Sequence, residues 1–146
     1  MRPARGLFAS ASKLKNGSED FAVFFDLSGE HIFASARRSL EVWSREGKFV
    51  RTLPLEGGNV RAGAATQDGG LALAVETGSE VELHVFDRNW DPIHSVPLGD
   101  RGCRDLAIFG EWVAVVTHGE WKDNGHPLRL HLTRLGATGQ VKSLLV

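Results

Sequence analysis

The side chains best suited to chemistry in this chain gather in one segment, residues 118–126. They comprise two imidazoles, two carboxylates and an amide: His118, Glu120, Asp123, Asn124 and His126. Imidazole and carboxylate groups suit zinc and similar ions. Their spacing fits no defined metal motif, so we predict a solvated polar loop with no bound metal and no other cofactor.

The same segment contains Trp121, which is a stronger candidate for binding. An exposed tryptophan on a loop is among the residue types most enriched at binding hot spots, and long loops on rigid scaffolds often carry function. Packing of Trp121 back onto the domain remains an open alternative. Trp121 therefore marks this loop as a predicted contact site for a partner.

Catalytic constellations are hard to find elsewhere. No serine lies in a glycine-rich elbow of the kind that exposes a nucleophile. Arg101 and Arg104 flank Cys103 and could lower its thiol pKa, but a cysteine that simply packs is the favoured interpretation. We therefore predict no catalytic residue, and a protein that is not an enzyme.

Composition excludes several classes of protein. The chain has 146 residues, 42% hydrophobic and 24% charged, which suits one globular domain. A net charge of -1 argues against nucleic-acid binding, which normally needs a basic face. No apolar run approaches the roughly 20 residues that span a bilayer, and the single cysteine, Cys103, favours the reducing cytoplasm. Residues 1–19, basic and rich in small residues, are predicted to form a flexible arm.

The chain repeats itself at a spacing of about forty residues, a period typical of stacked β units. Similar segments end each of three copies, at residues 50–55, 93–98 and 141–146. Earlier in each copy, Gly29, Gly69 and Gly110 precede apolar strands, and this glycine alignment places Phe33 beside Leu73.

The third strand of each copy alternates apolar and polar residues, as in residues 81–85. No segment has sustained helical periodicity. Trp43, Phe86 and Trp112 lie within predicted strands and are expected to pack between neighbouring sheets, whereas Trp90 lies in a turn and is expected to cap one.

Several segments resemble known repeat families. Residues 39–44, Ser-Leu-Glu-Val-Trp-Ser, are similar to the third strand of a WD repeat with serine in place of the closing aspartate, and residues 84–87, His-Val-Phe-Asp, keep the aspartate. Residues 131–134 keep neither signature, and residues 42–53 are also similar to the end of an NHL repeat. The resemblance implies an all-β fold of three four-stranded antiparallel propeller-type blades, at about residues 20–58, 59–101 and 102–146.

Three blades are fewer than the four to eight of closed propellers, so two sheet faces are expected to lack a neighbour. Apolar faces of that size mark interaction sites. We predict that a homodimer completes a six-bladed ring, or that a second propeller-like chain covers the faces. An open three-blade stack, a piece of a longer propeller and a closed sandwich of the same strands remain alternatives.

The family resemblance implies that loops along one rim bind ligands. We therefore predict a non-enzymatic scaffold that binds a protein partner. Its predicted partner-binding residues are Arg37, Arg38, Arg101, Arg104, His118, Trp121, Lys122 and His126.

An enzymatic alternative also follows from the resemblance. In lactonase-like propellers, carboxylates converge on a metal near the central axis, and this chain has four candidates: Glu56, Asp68, Asp100 and Asp105. Aspartates in tight turns more commonly bond the local backbone, so a metal-dependent lactonase-like or other hydrolase is the second choice.

Overall fold

The computed structural model describes residues 22–55, 58–119, 125, 127–135 and, for the backbone, 141–145. The basic arm, Glu56 and the predicted site residues Trp121, Lys122 and His126 lie outside these ranges. Every regular element in the described ranges is a β-strand, which confirms the all-β prediction. Within them, no helix is long and apolar enough to span a membrane.

Twelve strands form three four-stranded antiparallel sheets, each built from strands consecutive in the chain. The first sheet contains β1 Val23–Phe25, β2 His31–Ala36, β3 Ser39–Ser44 and β4 Phe49–Pro54. The second contains β5 Asn59–Ala65, β6 Leu71–Glu76, β7 Val81–Phe86 and β8 Pro92–Pro97. The third contains β9 Gly102–Phe109, β10 Trp112–His118, β11 Leu128–Arg134 and β12 Val141–Leu145.

The strand ladders correct the glycine-based alignment by one residue. Ile32 pairs with Trp43 in the first sheet, and the corresponding ladder position of the second sheet pairs Leu71 with Phe86. Phe33 therefore corresponds to Ala72, not to Leu73. The physical reason is a shorter first hairpin turn in the second sheet, and a one-residue shift moves a side chain to the opposite face of its sheet.

We call the face of each sheet that points to the next sheet along the chain its front face, and the opposite face its rear face. The interface between the first and second sheets, here the first interface, brings the front face of one against the rear face of the other. Phe33, Leu40 and Val42 pack there with Leu71 and Leu73, and all five are fully buried.

The first interface is closely packed around a glycine. The Phe24 ring stacks on Phe33, with centroids 5.0 Å apart. A Cβ at Gly63 would lie 2.4 Å from the Phe24 ring, closer than atoms can approach. Glycine at this point of β5 is therefore what allows the aromatic pair to fit.

The second interface, between the second and third sheets, is built from smaller side chains. Ala72 and Ala74 on the front face of the second sheet pack near Leu106, Val113 and Val115 of the third. The three innermost strands, β1, β5 and β9, are neighbours across the two interfaces. The sheets thus succeed one another around a common edge, as propeller blades do.

The two end faces, the rear face of the first sheet and the front face of the third, carry exposed apolar side chains. Phe25 is 58% exposed on the first and Phe109 is 86% exposed on the third. Ile32, on the same rear face as Phe25, is buried. Within one chain, Trp43 and Trp112 do not pack between sheets as predicted, because the ladders place both on the end faces.

Candidate functional site

One edge of the sheets, which we call the upper rim, collects the β2–β3 turn and the linkers between sheets. The Arg38 backbone N–H donates to Asn59 Oδ1 at 3.0 Å, and Leu55 N–H donates to the Arg38 carbonyl at 3.0 Å. Arg38 adopts a positive φ of 59°, uncommon for a residue other than glycine. The predicted site residues Arg37 and Arg38 therefore sit beside the linker from the first sheet to the second, and both are exposed.

The second linker brings further predicted residues to the same rim. Arg101 N–H donates to the His118 carbonyl at 3.2 Å, and Val81 N–H donates to the Asp100 carbonyl at 2.7 Å. Arg101 is exposed, whereas His118 is half-buried and its ring lies against Gly102. The structure thus brings Arg101 and His118 together.

Arg104 occupies a β-bulge in β9, at the register shift opposite Val116 and Thr117. β5 has a bulge in the corresponding place, and its extra residue is Arg61. Bulges re-aim side chains next to functional edges. Arg104 is exposed, and two consecutive innermost strands thus each have an arginine at the same bulge position.

Sequence reasoning missed the partner of Arg61. Arg61 Nε lies 3.1 Å from Glu76 Oε2, and Glu76 Oε1 accepts a hydrogen bond from the Cys103 backbone N–H at 3.0 Å. One carboxylate therefore ties the second sheet to the third. The link joins residues far apart in the chain, and the strand pattern gives no signal for it.

A second group that sequence reasoning missed is a buried polar cluster below the rim. The Thr117 hydroxyl donates to Asp100 Oδ2 at 2.5 Å and lies 2.7 Å from His131 Nε2. Because that hydroxyl gives its proton to Asp100, His131 must donate from Nε2, an assignment made from the hydrogen-bond network. Arg129 Nη1 adds an ion pair with Asp100 Oδ1 at 3.4 Å.

A hydroxyl, an imidazole and a carboxylate could form a catalytic triad, but the hydrogen bonds that connect them here run in a different direction. In a triad the imidazole accepts the hydroxyl proton, whereas here the carboxylate accepts it. Burial lowers the pKa of His131, although the facing Asp100 carboxylate opposes that shift. A neutral imidazole that donates one hydrogen bond suits a structural cluster.

The thiol of Cys103 is not activated. Burial, followed by the nearby Glu76 carboxylate, raises its pKa to about 12. The alternative in which Arg101 and Arg104 activate this thiol is therefore wrong, because desolvation of the thiolate dominates and the arginine that acts to lower this pKa is Arg61.

The candidate carboxylates of a lactonase-like centre do not converge. Asp68 lies in the β5–β6 turn and accepts hydrogen bonds from Thr66 Oγ1 and Gly70 N–H, which hold its pKa below the usual value. Asp100 lies beside Val81, at the opposite end of the second sheet. In the described part of the chain, no three His, Cys, Asp or Glu residues are grouped so that they could hold a metal ion.

Trp90 lies at the edge opposite the upper rim, which we call the lower rim. It occupies the β7–β8 turn with a positive φ of 64° and packs against the core of the first interface. Its ring centroid lies 5.1 Å from that of His31 and 5.4 Å from that of Phe33, and the Arg51 guanidinium lies 5.8 Å away. The prediction is that Trp90 caps a sheet, whereas the structure packs it across the first interface against His31 and Phe33 of the first sheet.

His31 is itself held in place at the lower rim. Burial pushes the pKa of Asp26 up, but hydrogen bonds from His31 and Ser28 outweigh it and hold the pKa below its usual value. The His31 Nδ1–Asp26 Oδ2 distance is 2.8 Å. This pair orients the imidazole edge against the Trp90 ring.

No protein-family model and no curated protein matches this chain. Among solved structures, the chain is similar to the WD40 repeats of RRP9, with a TM-score of 0.70, 14% identity, and coverage of 88% of this chain and 42% of that one. It is also similar to the Neurospora crassa Pan2 WD40 domain, with a TM-score of 0.56, 17% identity, and coverage of 79% and 33%. A mutant of Synechocystis apocarotenoid oxygenase gives a TM-score of 0.54, 12% identity, and coverage of 88% and 38%.

These likenesses, at such low identity, concern the fold alone, and the neighbours include both WD40 domains and an enzyme. One fold hosts many functions. The chain spans less than half the length of each of these structures. The prediction of four-stranded propeller-type sheets is confirmed in its coarse form: the chain has the fold of β-propeller blades.

Proposed function

We propose that this chain is a non-enzymatic protein-binding module whose stack of blades is completed by a second copy of itself. The fold supports this proposal through its WD40 neighbours, and the described residues offer no grouped metal ligands that would favour the hydrolase alternative. The observation that carries the proposal is the composition of the two end faces.

The front end face repeats a pattern that is buried inside the stack. Leu130 and Leu132 pair with Val116 and Ala114 on that face. Their ladder positions correspond to Leu83 and Val85 of the second sheet, which lie in the core of the second interface. Leu130 and Leu132 are only partly buried. Full burial of an exposed leucine is worth roughly 1.5–3 kcal/mol, and these half-buried side chains would gain part of that.

The side chains of the two end faces are also complementary in size. Inside the stack, large side chains of one sheet face small ones of the next: at the second interface, alanines on the front face of the second sheet pack near Leu106 and Ile108 of the third. The front end face is small at Ala107, which pairs with Ala114, although Phe109 and Trp112 on the same face are large. The rear end face is large there, with Phe25 paired to Ile32. A front face set against the rear face of another copy would repeat the internal arrangement.

Two such contacts, related by a two-fold axis, close a ring of six blades. This number lies within the range of four to eight that closed propellers show. A head-to-tail contact that closes on itself leaves no end face to recruit further copies. The homodimer therefore accounts for both faces at once.

The upper rim is the second proposed binding surface, and it would take a different protein partner. Exposed Arg37, Arg38, Arg101 and Arg104 suit carboxylates, because guanidinium groups bind them in a bidentate geometry. The predicted contacts His118, Trp121, Lys122 and His126 would extend this surface. We place the protein in the cytoplasm because its one cysteine is free and buried.

Solution mass tests the homodimer. We expect light scattering at micromolar concentration to give twice the mass of one chain. Phe25→Glu places a charge on the rear end face, since Phe25 is 58% exposed there, and is expected to give a folded monomer. The matched control is Ile93→Glu on β8, which is 57% exposed but lies away from both end faces and should keep the dimer mass.

A wild-type chain that is a stable monomer would overturn self-association. In that case the alternative of a piece of a longer propeller gains ground. It is favoured by the coverage of 33% and 42% of the WD40 structures that the chain resembles. Further blades of the same polypeptide would then cover the end faces.

A further inference from the structure

Two tryptophans lie on the end faces near the lower rim, one on each face. Trp112 is 44% exposed on the front end face, and Trp43 is half-buried on the rear end face. The first interface contains a counterpart for each of these positions, so it shows which side chains two packed blades place there. It therefore serves as a template for a contact between two copies of the chain.

The counterpart of Trp112 at the first interface is His31. Each is the first residue of the second strand of its sheet and pairs with the last residue of the third strand. Two residues further along these strands, Phe33 of the first sheet has Ala114 as its counterpart. The front end face therefore has an indole where the first interface has an imidazole.

The rear end face differs from its template in the opposite sense. Gly47 is the counterpart of Trp90: each donates its N–H to the carbonyl at the start of its turn, and their φ angles are 85° and 64°. The ladders align Trp43 with Phe86, which is buried in the core of the first interface. The rear end face therefore has a glycine where the first interface has an indole, and a tryptophan where it has a buried ring.

These two differences in size compensate each other. At the first interface, the indole of Trp90 comes from the turn of the following sheet and packs against the ring of His31, with centroids 5.1 Å apart. Between two copies, the indole of Trp112 comes from the preceding sheet and meets the turn that has only Gly47. Either contact then has one indole in the same space.

Trp112 is held in position within one copy. The Arg134 guanidinium lies 5.6 Å from the Trp112 ring centroid, and Arg134 Nη2 lies 2.7 Å from Glu111 Oε2. The first interface has the same device, since the Arg51 guanidinium lies 5.8 Å from the Trp90 ring centroid. An aromatic side chain that is already ordered loses little conformational entropy when it binds.

Trp43 is ordered as well. Its Nε1–H donates to Glu41 Oε1 at 3.2 Å, and its ring centroid lies 5.4 Å from that of Phe49 in an edge-to-face arrangement. Because the indole N–H already has an acceptor, a second copy can bury this ring without leaving an unpaired donor.

We infer that Trp112 of one copy docks beside Gly47 and against Trp43 of the second copy, and that this aromatic contact is the hot spot of the homodimer. Tryptophan is among the residues most enriched at such hot spots. The inference deepens the proposed self-association and rests on it. It adds the residues that carry the contact and the match in size by which the chain recognises its own rear end face.

Trp112→Ala tests this anchor in the full chain. We expect the dimer dissociation constant to rise at least about a hundredfold, because the closed ring loses an indole at both of its contacts. Sedimentation velocity over a dilution series measures the constant, and far-ultraviolet circular dichroism checks the fold. Ile93→Ala is the matched control, since Ile93 is 57% exposed away from both end faces, and it should leave the constant unchanged.

An exchange of sizes tests the contact between Trp112 and the turn. Gly47→Trp places a second indole in the same space and should weaken dimerisation at least about tenfold. Trp90 shows that this turn position accepts tryptophan at a positive φ. Gly47→Trp combined with Trp112→His recreates the pair formed by His31 and Trp90, and this double variant should dimerise more tightly than Trp112→His alone.

The inference is overturned if Trp112→Ala dimerises as tightly as Ile93→Ala, or if the double variant dimerises no more tightly than Trp112→His alone. When the wild-type chain is a dimer, either result removes only this contact and leaves the proposed homodimer standing. A wild-type monomer overturns the homodimer and the contact together.

Discussion

The two interfaces between sheets join the same kind of blade in different ways. At the first, Phe24, Phe33 and Trp90 fill the space with rings. At the second, alanines face aliphatic residues, and the buried Asp100–Thr117–His131 cluster lies nearby. The stability of the first interface depends on how well its side chains fill the space between the sheets. The stability of the second interface depends also on complete hydrogen bonding of its buried polar groups.

This difference predicts different responses to damage. An apolar interface loses stability in proportion to the cavity that a substitution leaves. A buried polar cluster fails when one member is removed, because the remaining groups lose partners that water cannot replace. Substitutions at the two interfaces can therefore measure separately the stability that comes from apolar packing and the stability that comes from buried hydrogen bonds.

The largest effect is expected at the first interface. Phe33→Ala removes a fully buried ring that touches Phe24 and Trp90, and should lower the free energy of unfolding by about 4 kcal/mol. Val115→Ala, a fully buried truncation at the second interface, should cost about 2 kcal/mol because it removes fewer carbons. Urea denaturation measures both.

Val50→Ala is the surface control for these truncations, since Val50 is 45% exposed, and it should change the free energy of unfolding by no more than about 0.5 kcal/mol. Equal losses for Phe33→Ala and Val115→Ala would contradict the view that volume distinguishes the interfaces.

The next effect concerns the polar cluster. Asp100→Ala leaves the Thr117 hydroxyl and the Arg129 guanidinium without their carboxylate, and should cost about 3 kcal/mol. Denaturation at pH 7 provides the value. A loss below that of Val115→Ala would show that the cluster adds little to the second interface.

The smallest effect is a dependence on pH at the second interface. The pKa of His131 is lowered in the folded chain by burial, so the unfolded chain binds more protons between that value and the usual 6.5. Stability is therefore fully present above about pH 6.5 and falls as the pH is lowered. Asp100 and Arg129 are the charged groups that face this imidazole.

His131→Gln tests this assignment. The variant should flatten the decline in the free energy of unfolding between pH 7 and pH 5, measured by urea denaturation at each pH. A decline as steep as that of the wild type would assign the dependence to other groups.

The strands could be predicted from the sequence because alternation fixes which residues share a face. The register between sheets was harder to predict. Glycine marks each hairpin turn, but it does not show how many residues the turn contains. The glycine alignment therefore places Phe33 beside Leu73, one residue out of register. The upper rim was predictable in outline, since loops of the same order in each copy reach the same edge. That outline correctly placed Arg38 and Arg101 on one edge.

The cluster around Asp100 could not be predicted, although all its members were visible in the sequence. Its residues come from a linker, β10 and β11, and their approach depends on the exact path of the linker. The third copy lacks the signature residues of its resemblance and yet contains the most buried polar network that the structure describes. The pattern of apolar and polar residues along each strand thus does not predict how polar an interface between sheets is.

The outer strands of the three sheets are protected to different degrees. Pro54 ends β4, and Pro92 and Pro97 begin and end β8, so neither strand offers an unbroken row of N–H donors at its free edge. β12, Val141–Leu145, contains no proline, and Lys142 is its one charged residue. If partly folded chains aggregate, strand addition at the edge of β12 is the expected starting point, and a lysine or proline introduced there is the natural remedy.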